Sequence, residues 1–312
     1  MSPVTRAAWP EFVVERDSPT IGFLHLASQM PGKLRVAHAP WVNQSWHVTL
    51  HPTGEGLITA ATDSGDGRTF TILLDLCSHG FALDVSDGSH DRVAFEDGMS
   101  IADLHARFVT MLERHGLPSD FDGKPNEIPD AIPFAEDTKA RTYRSDSANV
   151  FRDMLASVVP VFERFRAGFT AKASPVHFFW GSFDLAATRF SGRPAPPHPG
   201  GVPGLPDAVV REAYCQEVSS AGFWPGNVAQ PVPPIFYSYA YPEPEGFRDR
   251  AVEPSTAEFN VNLGEFTLAY DDVRRADDPV ATLTAFLETT YAAAADLADW
   301  DRERFERVPV AP

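Results

Sequence analysis

The apolar positions change period several times along the chain, and each change predicts an element. Ser18-Pro19 reads as an N-cap followed by proline at the first helical position. Ile21, Phe23, Leu24, Ala27 and Met30 then recur at helical spacing, so a short helix is expected to stop at Pro31-Gly32. Lys33 to Ala39, Trp46 to Leu50, Gly56 to Ala61, Thr69 to Leu76, Phe81 to Val85 and Arg92 to Phe95 read as short strands separated by Gly, Asp and Ser turns, which predicts an antiparallel sheet. From Ser100 the helical period returns through Ile101, Leu104, Phe108, Met111 and Leu112, ending at His115-Gly116.

The second half follows the same order. Ser147 caps a long helix with Phe151, Met154, Leu155, Val158, Phe162 and Phe165 on one face, and a strand carrying His177 follows. Further strands are expected at Pro234 to Tyr241, Glu258 to Leu263 and Glu265 to Tyr270, before a closing helix from Pro279 to Trp300. The expected fold is α+β, built of two related halves at 1–124 and 147–312, joined by a proline-containing connector at 125–146. Each half is a helix, a mainly antiparallel sheet and a closing helix, with His47 and His177 in equivalent places. The second half carries a long proline-rich insertion at 193–244, where 12 of the 28 prolines lie between Pro194 and Pro244. Tyr214, Phe223, Trp224, Phe236, Tyr237, Tyr239 and Tyr241 make it too aromatic for a solvated linker, so an ordered loop folded back over the sheet is expected.

Charge narrows the partners. With 43 Asp+Glu against 26 Lys+Arg the 312 residues carry a formal −17, which argues against nucleic acid or an anionic membrane and leaves a small molecule as the expected ligand. Cys77 and Cys215 are the only cysteines, so neither a disulfide framework nor a Cys-only zinc site is available, and a reducing, cytoplasmic setting is expected. Both thiols are expected to be small buried side chains. The start of the chain lacks an apolar signal core, and no apolar run reaches the roughly 20 residues that span a bilayer.

There is no Gly-rich phosphate loop, dinucleotide fingerprint, nucleophile elbow or paired-histidine zinc helix, so no nucleotide cofactor is expected. Polar and aromatic groups concentrate instead in Ala39 to Leu50, Pro125 to Phe134 and Ser174 to Gly226. Three imidazoles with one carboxylate suit a catalytic divalent metal, and His47, His177, His198 and Glu217 form the candidate set for zinc, iron or copper. His177 is equally well read as a core histidine satisfied by a carbonyl, and His198 as a loop histidine in solvent. Glu217, Glu127, Asn126 and Ser219 are the candidate catalytic groups; Asn43, Trp46, Trp180, Arg193 and Trp224 are the candidate substrate contacts. Arg189 or Arg193 would clamp a substrate carboxylate or pair with one of the many acids.

The runs Ala39-Pro40-Trp41-Val42-Asn43-Gln44-Ser45-Trp46-His47, Pro125-Asn126-Glu127-Ile128-Pro129, Val176-His177-Phe178-Phe179-Trp180-Gly181-Ser182-Phe183-Asp184 and Glu217-Val218-Ser219-Ser220-Ala221-Gly222-Phe223-Trp224-Pro225-Gly226, with Pro196-Pro197-His198-Pro199-Gly200, resemble a bacterial family catalogued as domain of unknown function 5996 over nearly the whole chain. The resemblance implies one full-length unit and carries no reaction with it. The expected function is a metal-dependent enzyme, hydrolase-like or oxidoreductase, with a His/Glu/aromatic-lined cleft between the halves. The alternatives are a non-catalytic small-molecule binder stacking its ligand on the aromatics, or a protein-interaction scaffold.

Overall fold

The computed structural model describes residues 8–202 and 204–307. In chain order the elements are helix α1 (Val14–His38); strands β1 (Leu50–Pro52), β2 (Gly56–Thr59), β3 (Thr62–Asp63), β4 (Thr69–Asp75), β5 (Gly80–Val85) and β6 (His90–Ala94); and helices α2 (Ile101–Arg114) and α3 (Ser145–Ala167). There follow β7 (His177–Phe179), β8 (Asp184–Pro194), α4 (Asp207–Ala213), β9 (Gln216–Trp224), β10 (Ile235–Tyr241), β11 (Glu258–Asn260), β12 (Glu265–Ala269), α5 (Tyr270–Arg275), α6 (Pro279–Leu297) and α7 (Arg302–Phe305). The fold is α+β, and its twelve strands form one sheet in the order β11-β12-β10-β9-β8-β7-β1-β2-β4-β5-β6, with β3 beside β4. All the strand pairs are antiparallel, as the short connections demand. Strands from the first half occupy one end of the sheet and those from the second half the other, meeting where Leu50 of β1 pairs with Phe178 of β7.

Helix α1 departs most from the expectation. It runs 25 residues straight through Pro19 and Pro31, and the strand expected at Lys33 to Ala39 is its last turns. Pro31-Gly32 is a packing notch rather than a stop: a Cβ on Gly32 would fall 2.3 Å from the Trp180 indole. Burial on all sides from Thr20 to Arg35 outweighs the hydrogen bond that an internal proline forfeits. The helix opens where the Asp17 carboxylate accepts the Val13 N–H at 2.8 Å, and it ends before Ala39, which is extended because Pro40 follows. Ser18, read as the cap, is buried inside the helix. Helix α2 behaves as expected, with Ser100 Oγ accepting the Asp103 N–H. Helix α3 starts at Ser145, and Ser147 hydrogen-bonds Asp17 at 2.7 Å instead of capping it.

The segment 193–244 is also more than a loop, because β9 and β10 within it lie inside the sheet, between β8 and β12. Only the stretch between β8 and β9, carrying α4, folds back over the sheet.

Register fixes the two faces of the second-half strands. Leu185, Phe223 and Phe236 share one face with Phe178 and pack with Phe151, Phe183 and Tyr270 in the helical core. Fully burying one such side chain contributes roughly 1.5–3 kcal/mol. His177, Ala186, Gly222 and Tyr237 occupy the opposite face, as do Thr188, Ser220 and Tyr239 in the next row. That face is polar. Among the described residues no helix is long and apolar enough to cross a membrane.

Candidate functional site

The polar face becomes a site because one strand is made of small residues where its neighbour is aromatic. Gly222 of β9 stands opposite Tyr237 of β10, and a Cβ there would lie 2.2 Å from the Tyr237 ring. With Ala186 next in the row, the phenol can lie across β9 and donate its hydroxyl hydrogen bond to Asp184 of β8. Ser182 donates a second hydrogen bond to the same carboxylate from the β7–β8 turn. One row along, Thr188 and Ser220 share a 2.8 Å hydrogen bond, and Tyr239 meets the Tyr214 hydroxyl at 3.0 Å. Glu265 lies at the start of β12, on the Thr267 side of the strand that faces Tyr237.

Two segments roof this face. In the proline-rich loop, His198 stacks on Tyr214 at 4.7 Å and 23° and meets Tyr241 at 5.1 Å, while the Tyr241 hydroxyl donates to the Pro196 carbonyl at 3.1 Å. The connector brings Glu127 over the β7–β8 turn, where a Cβ on Gly181 would sit 2.0 Å from Glu127 Oε1. Helix α1 sets that position through a buried row one turn apart. His25 donates from Nε2 to the Gly181 carbonyl at 2.8 Å and accepts the Val228 N–H at Nδ1. Gln29 accepts the Asn126 N–H at 2.7 Å and donates to its carbonyl at 2.9 Å. Lys33 donates to the Asn126 side chain and to Asp122. Burial pushes the His25 imidazole down to about 4, so it serves as a neutral strut.

Glu127, Glu265, Tyr214, Tyr237 and Tyr239 are half-buried and all lie near enough to Asp184 to feel its charge, and we infer that they line a recess around it. Desolvation, with the charge of Asp184 adding to it, pushes Glu127 up to about 7, and the same two causes push Glu265 up to about 7. Asp184 is itself raised by burial, against the hydrogen bonds of Ser182 and Tyr237. Neither glutamate has a side-chain hydrogen-bond partner among the described residues, whereas Asp184 has two. Glu127, beside the recess, and Phe183, in the β7–β8 turn, take positive φ without being glycine, as do Asp130, Gln44 and Ser45 in other segments and Trp9, His79 and Asp299 elsewhere.

Of the residues singled out by sequence, Glu127 and His198 are brought to the recess and Trp224 to its margin, where its indole N–H donates to the Ser182 carbonyl at 3.2 Å. Asn126 positions Glu127 through its backbone. Glu217 and Ser219 are on the other face of the sheet. Strand alternation sends Val218, Ser220 and Gly222 to the recess and the residues between them to the helices, where Glu217 pairs with Arg193 at 2.7 Å. Arg193 also donates to the Asp299 and Ala298 carbonyls beyond α6, which makes it a clasp between strand and helix. Arg189 is buried over the Phe165 ring at 3.5 Å. Trp180 is in the core, its N–H donating to the Val48 carbonyl at 2.8 Å, and Asn43 is exposed.

Trp46 and His177 form a separate group farther along the polar face, with ring centroids 6.1 Å apart and Phe190 beside them. His177 shares a 3.1 Å hydrogen bond with Thr49, and burial pushes its imidazole down to about 3. His47 accepts the Val42 N–H, and its Nε2, like that of His177, is buried without a partner among the described residues. The four candidate metal ligands are not gathered: no group of three or more His, Cys, Asp or Glu among the described residues is arranged to hold an ion. Cys77 and Cys215 are unpaired and exposed rather than buried.

Sequence reasoning missed Asp184, Tyr237, Tyr239 and Glu265 as one group, and His25, Gln29 and Lys33 as its support. The support had a signal, since polar residues at every fourth position inside an apolar helix face a partner rather than water. No curated protein and no solved structure matches the chain. The chain belongs to DUF5996, a family of unknown function, whose family model matches residues 9–307.

Proposed function

We propose that the protein is an enzyme of the bacterial cytoplasm that transfers protons on a small molecule held in the recess, with Glu127 and Glu265 as its acid–base pair. The observation that carries this reading is the pair of glutamates near Asp184 that have no side-chain partner among the described residues, while the acceptor positions of Asp184 are filled by Tyr237 and Ser182. Carboxyls that titrate near 7 exist in both forms at neutral pH, as general acid–base work requires. A hydrolytic step is the plainest version. The ionised glutamate takes a proton from water as the water oxygen bonds to the electrophilic carbon, and the protonated one gives its proton to the leaving group as that bond breaks. Tyr214 and Tyr239 orient the substrate. The exposed, unpaired cysteines fit a reducing compartment.

The test is incubation of a bacterial metabolite extract with the purified protein, followed by mass spectrometry. The native protein consumes at least one compound, and Glu127→Gln slows that consumption by about a hundredfold or more while remaining folded. An unchanged extract overturns the enzyme reading in favour of a binding protein.

A second reading keeps a divalent zinc, iron or copper ion, favoured by the partnerless Nε2 atoms of His47 and His177. Elemental analysis of untagged protein decides it: near-stoichiometric metal that disappears in His177→Ala supports this reading, and no metal after reconstitution sinks it.

A further inference from the structure

We propose that the recess is built for an organic cation, a molecule that presents a protonated amine or guanidinium on a short apolar stem. The assignment rests on the recess described above, but not on whether catalysis occurs there. Glu127 of the connector and Glu265 of β12 each lie near enough to Asp184 of β8 to feel its charge, and none of the three is paired with a Lys or Arg among the described residues. Carboxylates taken out of water are costly unless a positive partner compensates them, and the described residues supply none.

The partner is larger than a metal ion. The acids are not grouped closely enough to hold an ion, so the negative charge is distributed over the length of a molecule. The two glutamates, without side-chain partners among the described residues, offer oxygen acceptors and call for N–H donors. The rest of the wall is aromatic. Tyr237 and Tyr239 stand parallel on β10, 6.2 Å apart with 18° between ring planes, and the His198–Tyr214 stack continues the aromatic wall beside Tyr239 and Tyr241. Ring faces carry the negative side of an aromatic quadrupole and accept the polarised CH groups beside a cationic nitrogen. A sugar would satisfy the hydroxyls and leave the buried charge uncompensated, and an anion would be repelled.

The test is calorimetric titration of the full chain with 1,4-diaminobutane and with 4-guanidinobutylamine, using 1,4-butanediol and succinate as neutral and anionic controls. At least one cation binds about tenfold or more tightly than the diol, and succinate does not bind. Glu127 and Glu265 face Asp184, Tyr214, Tyr237 and Tyr239, none of which brings positive charge, and the His198 imidazole stacked on Tyr214 is the titratable base of the wall; a bound cation draws both glutamates into the ionised form. Near neutral pH, binding therefore releases protons, seen as a dependence of the heat on the ionisation enthalpy of the buffer. Glu127→Gln and Glu265→Gln, each shown by circular dichroism to be folded, weaken binding about tenfold or more. Equal binding of the diol, no binding of either cation at millimolar concentration, or folded variants with unchanged affinity overturns the assignment. Cation binding without turnover sinks the acid–base reading alone, whereas turnover of a neutral or anionic compound sinks the cation assignment alone.

Discussion

The two ends of the single sheet treat their second face in opposite ways. At the first-half end Phe70, Ile72, Phe81 and Leu83 face the helices, while on the other side Asp84 is exposed, Thr71 and Ala82 are half-buried and Leu73 is buried. At the second-half end the same alternation puts Phe223 and Phe236 against the helices, but the reverse face carries Asp184, Tyr237 and Tyr239 beneath a roof. An antiparallel sheet needs only one buried face to be stable, so the other is free to vary. Where it is uncovered it is ordinary surface. Where the connector and the proline-rich loop cover it, the same strand geometry removes carboxyls from water and changes their chemistry.

The largest way to test this contrast is to cut into the shared helical face. Phe223→Ala should cost about 3–5 kcal/mol in denaturant unfolding, by transfer loss plus cavity, whereas Tyr239→Phe on the roofed face should cost about 1 kcal/mol. Equal costs would mean that the roofed face is itself core. Next, Gln29→Leu strips both backbone bonds from Asn126 and should cost about 2 kcal/mol, and it should also abolish the titration of Glu127 near neutrality, read by carboxyl infrared difference spectra. Unchanged titration would show that the roof does not depend on α1.

A smaller effect separates the ends through pH. Glu127 and Glu265 have folded-state pKa values raised above the unfolded value, so the folded state holds more protons between the two, and each contributes stability that is lost as pH rises toward about 7. Glu127→Gln and Glu265→Gln should therefore each gain roughly 1–2 kcal/mol on native protein in going from about pH 5 to about pH 8, after discounting for residual solvent. A gap between variant and native that stays flat across that range would show both carboxyls to be solvated. The smallest effect belongs to the uncovered end, where Asp84→Ala should change stability by less than about 0.5 kcal/mol at any pH.

Much of the scaffold was legible because it rests on local periodicity. Strands β4 to β6, helices α2, α3 and α6 and strand β10 lie where apolar spacing puts them. Helix α1 was cut short because Pro31-Gly32 reads as punctuation, and only the Trp180 ring lying on Gly32 explains why it is not. Strand β9 was hidden by its small residues, Ser219, Ser220, Ala221 and Gly222, which read as loop until the Tyr237 ring is seen to need that space. The site was half legible. Aromatic density and the proline-flanked glutamate led to Glu127 and His198, while Glu217 and Ser219 were chosen one residue out of phase with Ser220. Which side of a strand is roofed depends on cross-strand pairing, and spacing along one strand does not contain it.

The hydrogen bonds that hold the recess together also decide when it can exist. His25 meets Val228 across 203 residues of chain, and Gln29 meets Asn126 across 97. Loop-closure entropy must be met before contacts so remote in sequence return any free energy, so the recess belongs to the late part of folding. A ribosome must release the chain through at least Glu265 before the pocket can close. A fragment ending before α3 would hold the anchoring row of α1 with nothing from the second half to anchor, and a fragment starting at α3 would hold Asp184, Tyr237 and Glu265 under the proline-rich loop alone, without Glu127 and the connector.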